Sequence, residues 1–239
     1  VLSSIGGDGY KSSLRHDNFV PDVALVDPEL TLSCPPDVTA ACGLDALTQL
    51  LEAYVSSKAS PMTDALALSG LEHVAAGFIR AYENGAEDLA ARSHMAYAAL
   101  LSGIVLANAG LGVVHGFAGP IGGFFPMPHG VVCGTLIGAA TRINIEALRQ
   151  DPVRNRVALE KHARAGTLLA GQSAASVESG CELLIRTLDG WIASTGIARL
   201  SAYGISRADF PRILDKSNNK NSPVTLDRGQ MQAILEARI

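Results

Sequence analysis

Apolar residues recur at helical spacing over most of this chain. After a Pro-Pro pair, Leu44, Leu47, Leu51 and Val55 repeat at intervals of three or four, which places them on one helical face. Asp37 is expected to cap this helix, because its carboxylate can accept hydrogen bonds from the first free N–H groups. Similar patterns predict further helices at about 60–84, 87–109, 111–118, 128–141, 152–171, 175–195, 207–215 and 226–238.

One strand is predicted, at residues 21–27 (PDVALVD), where Pro21 and Pro28 bound a short apolar run. Eight or nine helices against one strand, without strand–helix alternation, favour an all-α bundle over a doubly wound sheet. The expected fold is therefore mainly α. An irregular lead-in with the short strand covers residues 1–30, and an all-helical domain covers 31–239.

Composition narrows the class of protein. The 239 residues include 19 Lys and Arg against 23 Asp and Glu, a formal net charge of −4, and 48% are hydrophobic. This balance predicts a folded core and, without a basic stripe, argues against nucleic-acid binding. The most apolar stretch, 102–128, contains a His and Pro residues and is interpreted as buried protein, not a membrane span. The four cysteines form no C-x-x-C pair, which favours free thiols and a cytoplasmic location.

Asp45 is the first candidate for chemistry. It lies within the apolar helix GLDALTQLLEAY, and Gln49, four residues later, shares its face. The carboxylate is either part of a solvent-exposed Asp–Gln pair or buried beside a partner, and the spacing leaves both readings open.

His115 and His129 flank a segment that is rich in glycine, and residues 102–135 contain no Lys, Arg, Asp or Glu. His129 is expected at a helix start, where the helix dipole disfavours protonation of the ring. Neutral imidazoles are ligands for metals, so one carboxylate with two imidazoles makes a plausible set for Zn²⁺ or Fe²⁺. The alternative is two hydrogen-bonded core histidines.

Two segments resemble a known family. PDVALVDPELTLSCPPDVTAACGLDALTQLLEAYVSS and GLGVVHGFAGPIGGFFPMPHGVVCGTLI are similar to segments of the iron-containing (group III) alcohol dehydrogenases, as is NKNSPVTLDRGQMQAILEA near the C-terminus. The family has an N-terminal α/β half that binds NAD(P) and a C-terminal helical half, of the dehydroquinate synthase-like type, that carries the metal. This chain resembles the helical half, and the nucleotide-binding domain is expected to be absent from it.

The resemblance also implies a ligand set. The family binds Fe²⁺ or Zn²⁺ through one Asp and three His, which correspond here to Asp45, His115, His129 and the position of Gln49. Gln is a weak neutral ligand, and the related glycerol dehydrogenases use one Asp and two His. A further family His, near the substrate and the nicotinamide, corresponds to Gly119. The resemblance therefore assigns metal ligands to this chain but no catalytic or cofactor-binding residue.

The implied function is a metal-dependent, NAD(P)-linked interconversion of alcohols and aldehydes, to which this chain contributes the metal-binding domain and alone is expected to be inactive. The alternative is a non-catalytic helical module for binding or assembly. Phe124, Phe125 and Met127 are expected either to line the substrate side or to pack in the core. A homo-oligomer is expected, because the uncharged segment that contains them would form an exposed apolar patch.

Overall fold

The chain, described here from a computed structural model over residues 2–6, 8–14 and 16–239, is a helical bundle with a small two-stranded sheet. Val1, Gly7 and Arg15, within the predicted lead-in, lie outside the described residues. The described part contains nine α-helices: α1 Pro36–Tyr54, α2 Pro61–Asn84, α3 Leu89–Ala109, α4 Val113–Phe124, α5 His129–Leu148, α6 Arg156–Ala170, α7 Val177–Ser194, α8 Phe210–Lys216 and α9 Arg228–Glu236.

The predicted strand at 21–27 is wrong. Those residues, all described, are irregular, with Val23 80% and Leu25 90% exposed. The strands are instead β1, Leu2–Ser4, and β2, Tyr10–Ser12, which pair antiparallel. A short apolar run forms a strand only when a neighbour supplies its backbone hydrogen bonds, and residues 21–27 lack such a neighbour among the described residues.

The helix ends follow local capping chemistry. Ser60 caps α2, accepting from the Thr63 N–H at 3.3 Å while Thr63 Oγ1 accepts from the Ser60 N–H at 2.8 Å. Asp37 does not cap α1, because the helix already begins at Pro36 and leaves Asp37 in its first turn. Asp227 caps the last helix, α9, because its side chain accepts from the Gln230 N–H.

Helix α1 is central and packs against α2, α3 and α5. Glycines allow the approach of α5: a Cβ on Gly130 would overlap the backbone carbonyl of Ala41, and one on Gly134 would lie 2.7 Å from Leu44 Cδ1. This close approach brings the first turn of α5 beside the middle of α1, where Asp45 lies.

Helix α4 runs to Phe124, six residues beyond the prediction, because Pro120 within it does not end the helix. The apolar stretch 102–128 is divided between α3 and α4, and α4 is largely buried. By length and composition alone, α3 and α5 could each cross a membrane. The apolar window of α5 is 78% buried in the fold and that of α3 is 33% buried.

Candidate metal centre

Three helices bring Asp45, His115 and His129 to one point. Asp45 lies in the middle of α1, His115 in the first turn of α4 and His129 at the start of α5. His115 Nε2 is 3.2 Å and His129 Nε2 is 3.6 Å from the same atom, Asp45 Oδ1. The Asp45 side chain is 20% exposed, so the carboxylate is mostly buried with partners, as one of the two sequence-based readings expected.

A buried carboxylate, Glu52, orients His115 from the opposite side. Glu52 Oε2 is 2.7 Å from His115 Nδ1, and Oε1 accepts from the Val114 backbone N–H at 2.7 Å. His115 donates through Nδ1–H to Glu52 and through Nε2–H to Asp45, and an ion at the site would take the place of the Nε2 proton. A histidine held by a carboxylate in this way is the usual arrangement behind a metal ligand.

Gln49, the fourth predicted residue, also lies at the site. Its Nε2 donates to Asp45 Oδ2 at 3.1 Å, and its Oε1 accepts from Ser102 Oγ at 2.9 Å. In this arrangement the amide holds the Asp45 carboxylate, and its own oxygen is occupied by Ser102.

Cys133 is a further member of the cluster. Its Sγ lies 3.7 Å from His115 Nε2 and 3.8 Å from His129 Nε2. Potential ligand atoms of Asp45, His115, His129 and Cys133 all lie within 4.8 Å of one another. The sequence alone predicts Cys133 as one of four free thiols and gives Glu52 no role. Helical spacing could have identified both residues. Glu52 follows Asp45 by seven residues and Cys133 follows His129 by four, so each lies on the same helical face as a predicted ligand.

Mutual interactions set the protonation of these groups. Burial alone would raise the pKa of Asp45, but the hydrogen bond with His115 and the charges of both imidazoles lower it. Burial alone would lower the pKa of His115, yet Cys133, Asp45 and Glu52 raise it well above its usual value. Burial lowers the pKa of His129 despite the opposing charge of Asp45. Near pH 7 Asp45 is therefore anionic and His129 neutral, the states in which each binds a cation, whereas His115 is protonated and would have to release its Nε2 proton when an ion binds.

The donor set fits a divalent cation. One carboxylate oxygen and two imidazole Nε2 atoms converge, and carboxylate oxygens together with imidazole nitrogens are common ligands of Zn²⁺ and Fe²⁺. His129 Nδ1 is buried and lacks a hydrogen-bond partner among the described residues, so Nε2 is the ring atom that faces the polar cluster.

A cavity of about 350 Å³ opens beside these residues and is lined by Gln49, His115, His129, Gly119 and Lys11, among others. That volume suits a small molecule. A Cβ on Gly119 would meet nothing within 4 Å, so this wall of the cavity has room for a side chain that the chain does not supply.

The three apolar residues after α4 fall into two groups. Phe125 is 8% and Met127 3% exposed, so both pack in the core and neither belongs to an exposed apolar patch. Phe124 is half-buried and lines a neighbouring cavity. One group of strongly exposed apolar side chains lies in the segment before α1, where Phe19, Val20, Val23, Leu25 and Leu30 are each at least 67% exposed.

Comparison with known sequences gives one family. Residues 39–239 match the sequence model described as "Fe-containing alcohol dehydrogenase family, C-terminal". That range covers α1 from its first turn onward and includes Asp45, His115, His129 and Cys133, the four residues of the candidate metal centre.

Individual relatives agree. The chain is 40% identical over 149 residues to alcohol dehydrogenase 4 of Saccharomyces cerevisiae, covering 62% of this chain and 39% of that protein. It is 34% identical over 244 residues to long-chain-alcohol dehydrogenase 1 of Geobacillus thermodenitrificans, covering 99% and 59%. Among solved structures, a 1,3-propanediol oxidoreductase superposes with a TM-score of 0.79 at 34% identity, covering 89% of this chain and 55% of that one. The chain spans about half the length of the curated relatives it matches.

Proposed function

This chain belongs to the Fe-containing alcohol dehydrogenase family, and we propose that it acts as the metal-binding domain of an enzyme that interconverts alcohols and aldehydes. The observation that carries the proposal is the convergence of Asp45, His115 and His129, with both Nε2 atoms within 3.6 Å of Asp45 Oδ1. We expect these three residues to hold one divalent ion, Fe²⁺ or Zn²⁺, with Gln49 beside them.

The metal would supply Lewis acidity toward the oxygen of a bound alcohol or aldehyde. The protein's own part is positioning. Glu52 fixes the His115 tautomer, Gln49 fixes the Asp45 carboxylate, and the 350 Å³ cavity admits a small substrate next to both imidazoles.

The proposed oxidation removes a hydride from the carbinol carbon and the hydroxyl proton from the oxygen, leaving the aldehyde. The hydride acceptor is NAD(P), which we place outside the described residues, in a nucleotide-binding half. With Gly119 at the cavity wall, this chain has no side chain there to relay the proton, so we expect solvent in the cavity to accept it.

Turnover measurements test this proposal. The 239-residue chain alone is expected to give no alcohol-dependent reduction of NAD(P), because positioning the nicotinamide against the carbinol carbon supplies about 7–11 kcal/mol of the barrier. Protein expressed from the whole reading frame that encodes this chain is expected to be active, and its His129→Ala variant inactive. Equal turnover by that variant would contradict the proposal.

A non-catalytic assembly module is the second candidate, favoured by Gln49 and Gly119 at two positions where the family pattern has His. The same assay separates the two functions. A whole-frame protein that binds metal and NAD(P) but turns over no alcohol would support the module.

A further inference from the structure

We propose that Cys133 is the fourth protein ligand of this metal centre, so that the ion is bound by one carboxylate, two imidazoles and one thiolate. This inference rests on the metal centre proposed above. It assigns a ligand that differs in chemistry from both the His of the family pattern and Gln49.

The distances agree with a tetrahedral site. Zn–N bonds of about 2.0–2.1 Å and a Zn–S bond of about 2.3 Å, at tetrahedral angles, separate nitrogen and sulfur ligand atoms by about 3.6 Å. Cys133 Sγ lies 3.7 Å from one imidazole Nε2 and 3.8 Å from the other. Small side-chain adjustments would bring all four donors into bonding distance of one ion.

The helix itself presents the pair. His129 is the first residue of α5 and Cys133 follows four residues later, so both side chains leave the same face of the helix. Gly130 and Gly134 let that face approach α1, which carries Asp45. Packing alone therefore keeps the thiol directed into the cluster.

Gln49 is placed less well to be the fourth ligand. Its oxygen accepts a hydrogen bond from Ser102, and its NH₂ group is the part that faces Asp45. To bind the ion through oxygen, the amide would have to break both bonds and turn over. We assign Gln49 the role of positioning Asp45.

The thiolate changes which metal is preferred. Soft sulfur ligands favour Zn²⁺ over Fe²⁺ relative to a site with only nitrogen and oxygen donors. Cys133 is fully buried, so the competing interpretation is an ordinary core thiol that happens to lie near two histidines.

Cobalt substitution separates these interpretations without an activity assay. Co²⁺ bound by a thiolate gives an intense near-ultraviolet charge-transfer band that nitrogen and oxygen ligands do not give. The 239-residue chain is titrated with Co²⁺ in wild-type form and as Cys133→Ser, Gln49→Ala and Cys181→Ser. Cys181 is a matched control, because it is 1% exposed and its Sγ contacts the Leu159 carbonyl, away from the site.

We expect the band in the wild type, Gln49→Ala and Cys181→Ser, and its loss in Cys133→Ser with at least tenfold weaker binding. X-ray absorption of the zinc-loaded wild type needs no variant and is expected to show one sulfur at about 2.3 Å. Cobalt binding without the band, or zinc without a sulfur neighbour, overturns this inference alone. No metal binding by the wild type overturns the metal centre, and this inference with it.

Discussion

Glu52→Gln removes one negative charge behind the metal centre while conserving the shape of the side chain. Glu52 accepts from Val114 N–H through Oε1 and from His115 Nδ1 through Oε2, both at 2.7 Å, and its side chain is 8% exposed. Gln has one acceptor oxygen where Glu has two. In one orientation of the Gln amide, its NH₂ group faces the Val114 N–H, so that two donors meet. In the other orientation, the NH₂ group donates to His115 Nδ1, and the proton of the neutral imidazole must then sit on Nε2.

Both arrangements disturb the ligand. The first leaves a buried donor unsatisfied, and the second blocks the lone pair with which His115 would bind the ion. Losing one charge-assisted hydrogen bond costs about 1.5–3 kcal/mol, and outer-shell substitutions lower metal affinity by about 10–100-fold. Since tenfold corresponds to about 1.4 kcal/mol, the two figures agree.

Competition with a chromophoric chelator measures the Zn²⁺ affinity, and circular dichroism checks the fold. Glu160→Gln is the control, because Glu160 is paired with Arg156 at the surface and lies on α6, which carries none of the cluster residues. We expect Glu52→Gln to bind Zn²⁺ at least tenfold more weakly and the control to match the wild type. A folded Glu52→Gln variant within twofold of the wild type would refute the assigned role of Glu52.

Three further predictions follow from packing, burial and exposure. Gly130→Ala should force α5 away from the Ala41 carbonyl and weaken Zn²⁺ binding at least tenfold. The control Gly190→Ala should leave Zn²⁺ affinity unchanged, because a Cβ there meets nothing within 4 Å. Equal Zn²⁺ affinities of the two variants would contradict the packing argument. Burial lowers the pKa of His162 from 6.5 to about 4. The unfolded chain therefore protonates His162 more readily than the folded chain, and the free energy of unfolding falls by up to about 3 kcal/mol as the pH drops from 6.5 to 4. Urea unfolding should show a smaller loss of stability in His162→Gln, and an equal loss would refute this role of His162. The chain should self-associate through its exposed apolar segment at 19–30, since covering about 400 Å² would contribute about 10 kcal/mol before association costs; light scattering that finds only monomer at tens of micromolar would contradict this.

The helical bundle and the three residues that converge at the candidate metal centre could be predicted from the sequence. Ser60 followed by Pro61 fixes the start of α2 chemically, and the signal is local. Asp45 in an apolar helix and His115 and His129 in an uncharged segment were recognisable because buried polar groups need partners. The resemblance then joined them into one set.

Other features depend on contacts that no local pattern contains. Residues 21–27 have strand-like composition but meet no partner strand in the described part of the chain. Phe125 and Met127 are covered by packing between helices, so their apolarity did not signal an exposed patch. Cys133 has the pattern of a core residue, and only the close approach of α5 to α1 shows that its sulfur faces two imidazoles.

Metal content tests the central claim most directly. The 239-residue chain, its His129→Ala variant and a His73→Ala control are loaded with Zn²⁺, dialysed and analysed for bound metal. His73 pairs with His94 on α2 and α3, apart from the candidate centre. We predict about one ion per chain in the wild type and in His73→Ala, and far less in His129→Ala. Equal metal content in all three proteins, or none in the wild type, would contradict a metal centre at Asp45, His115 and His129.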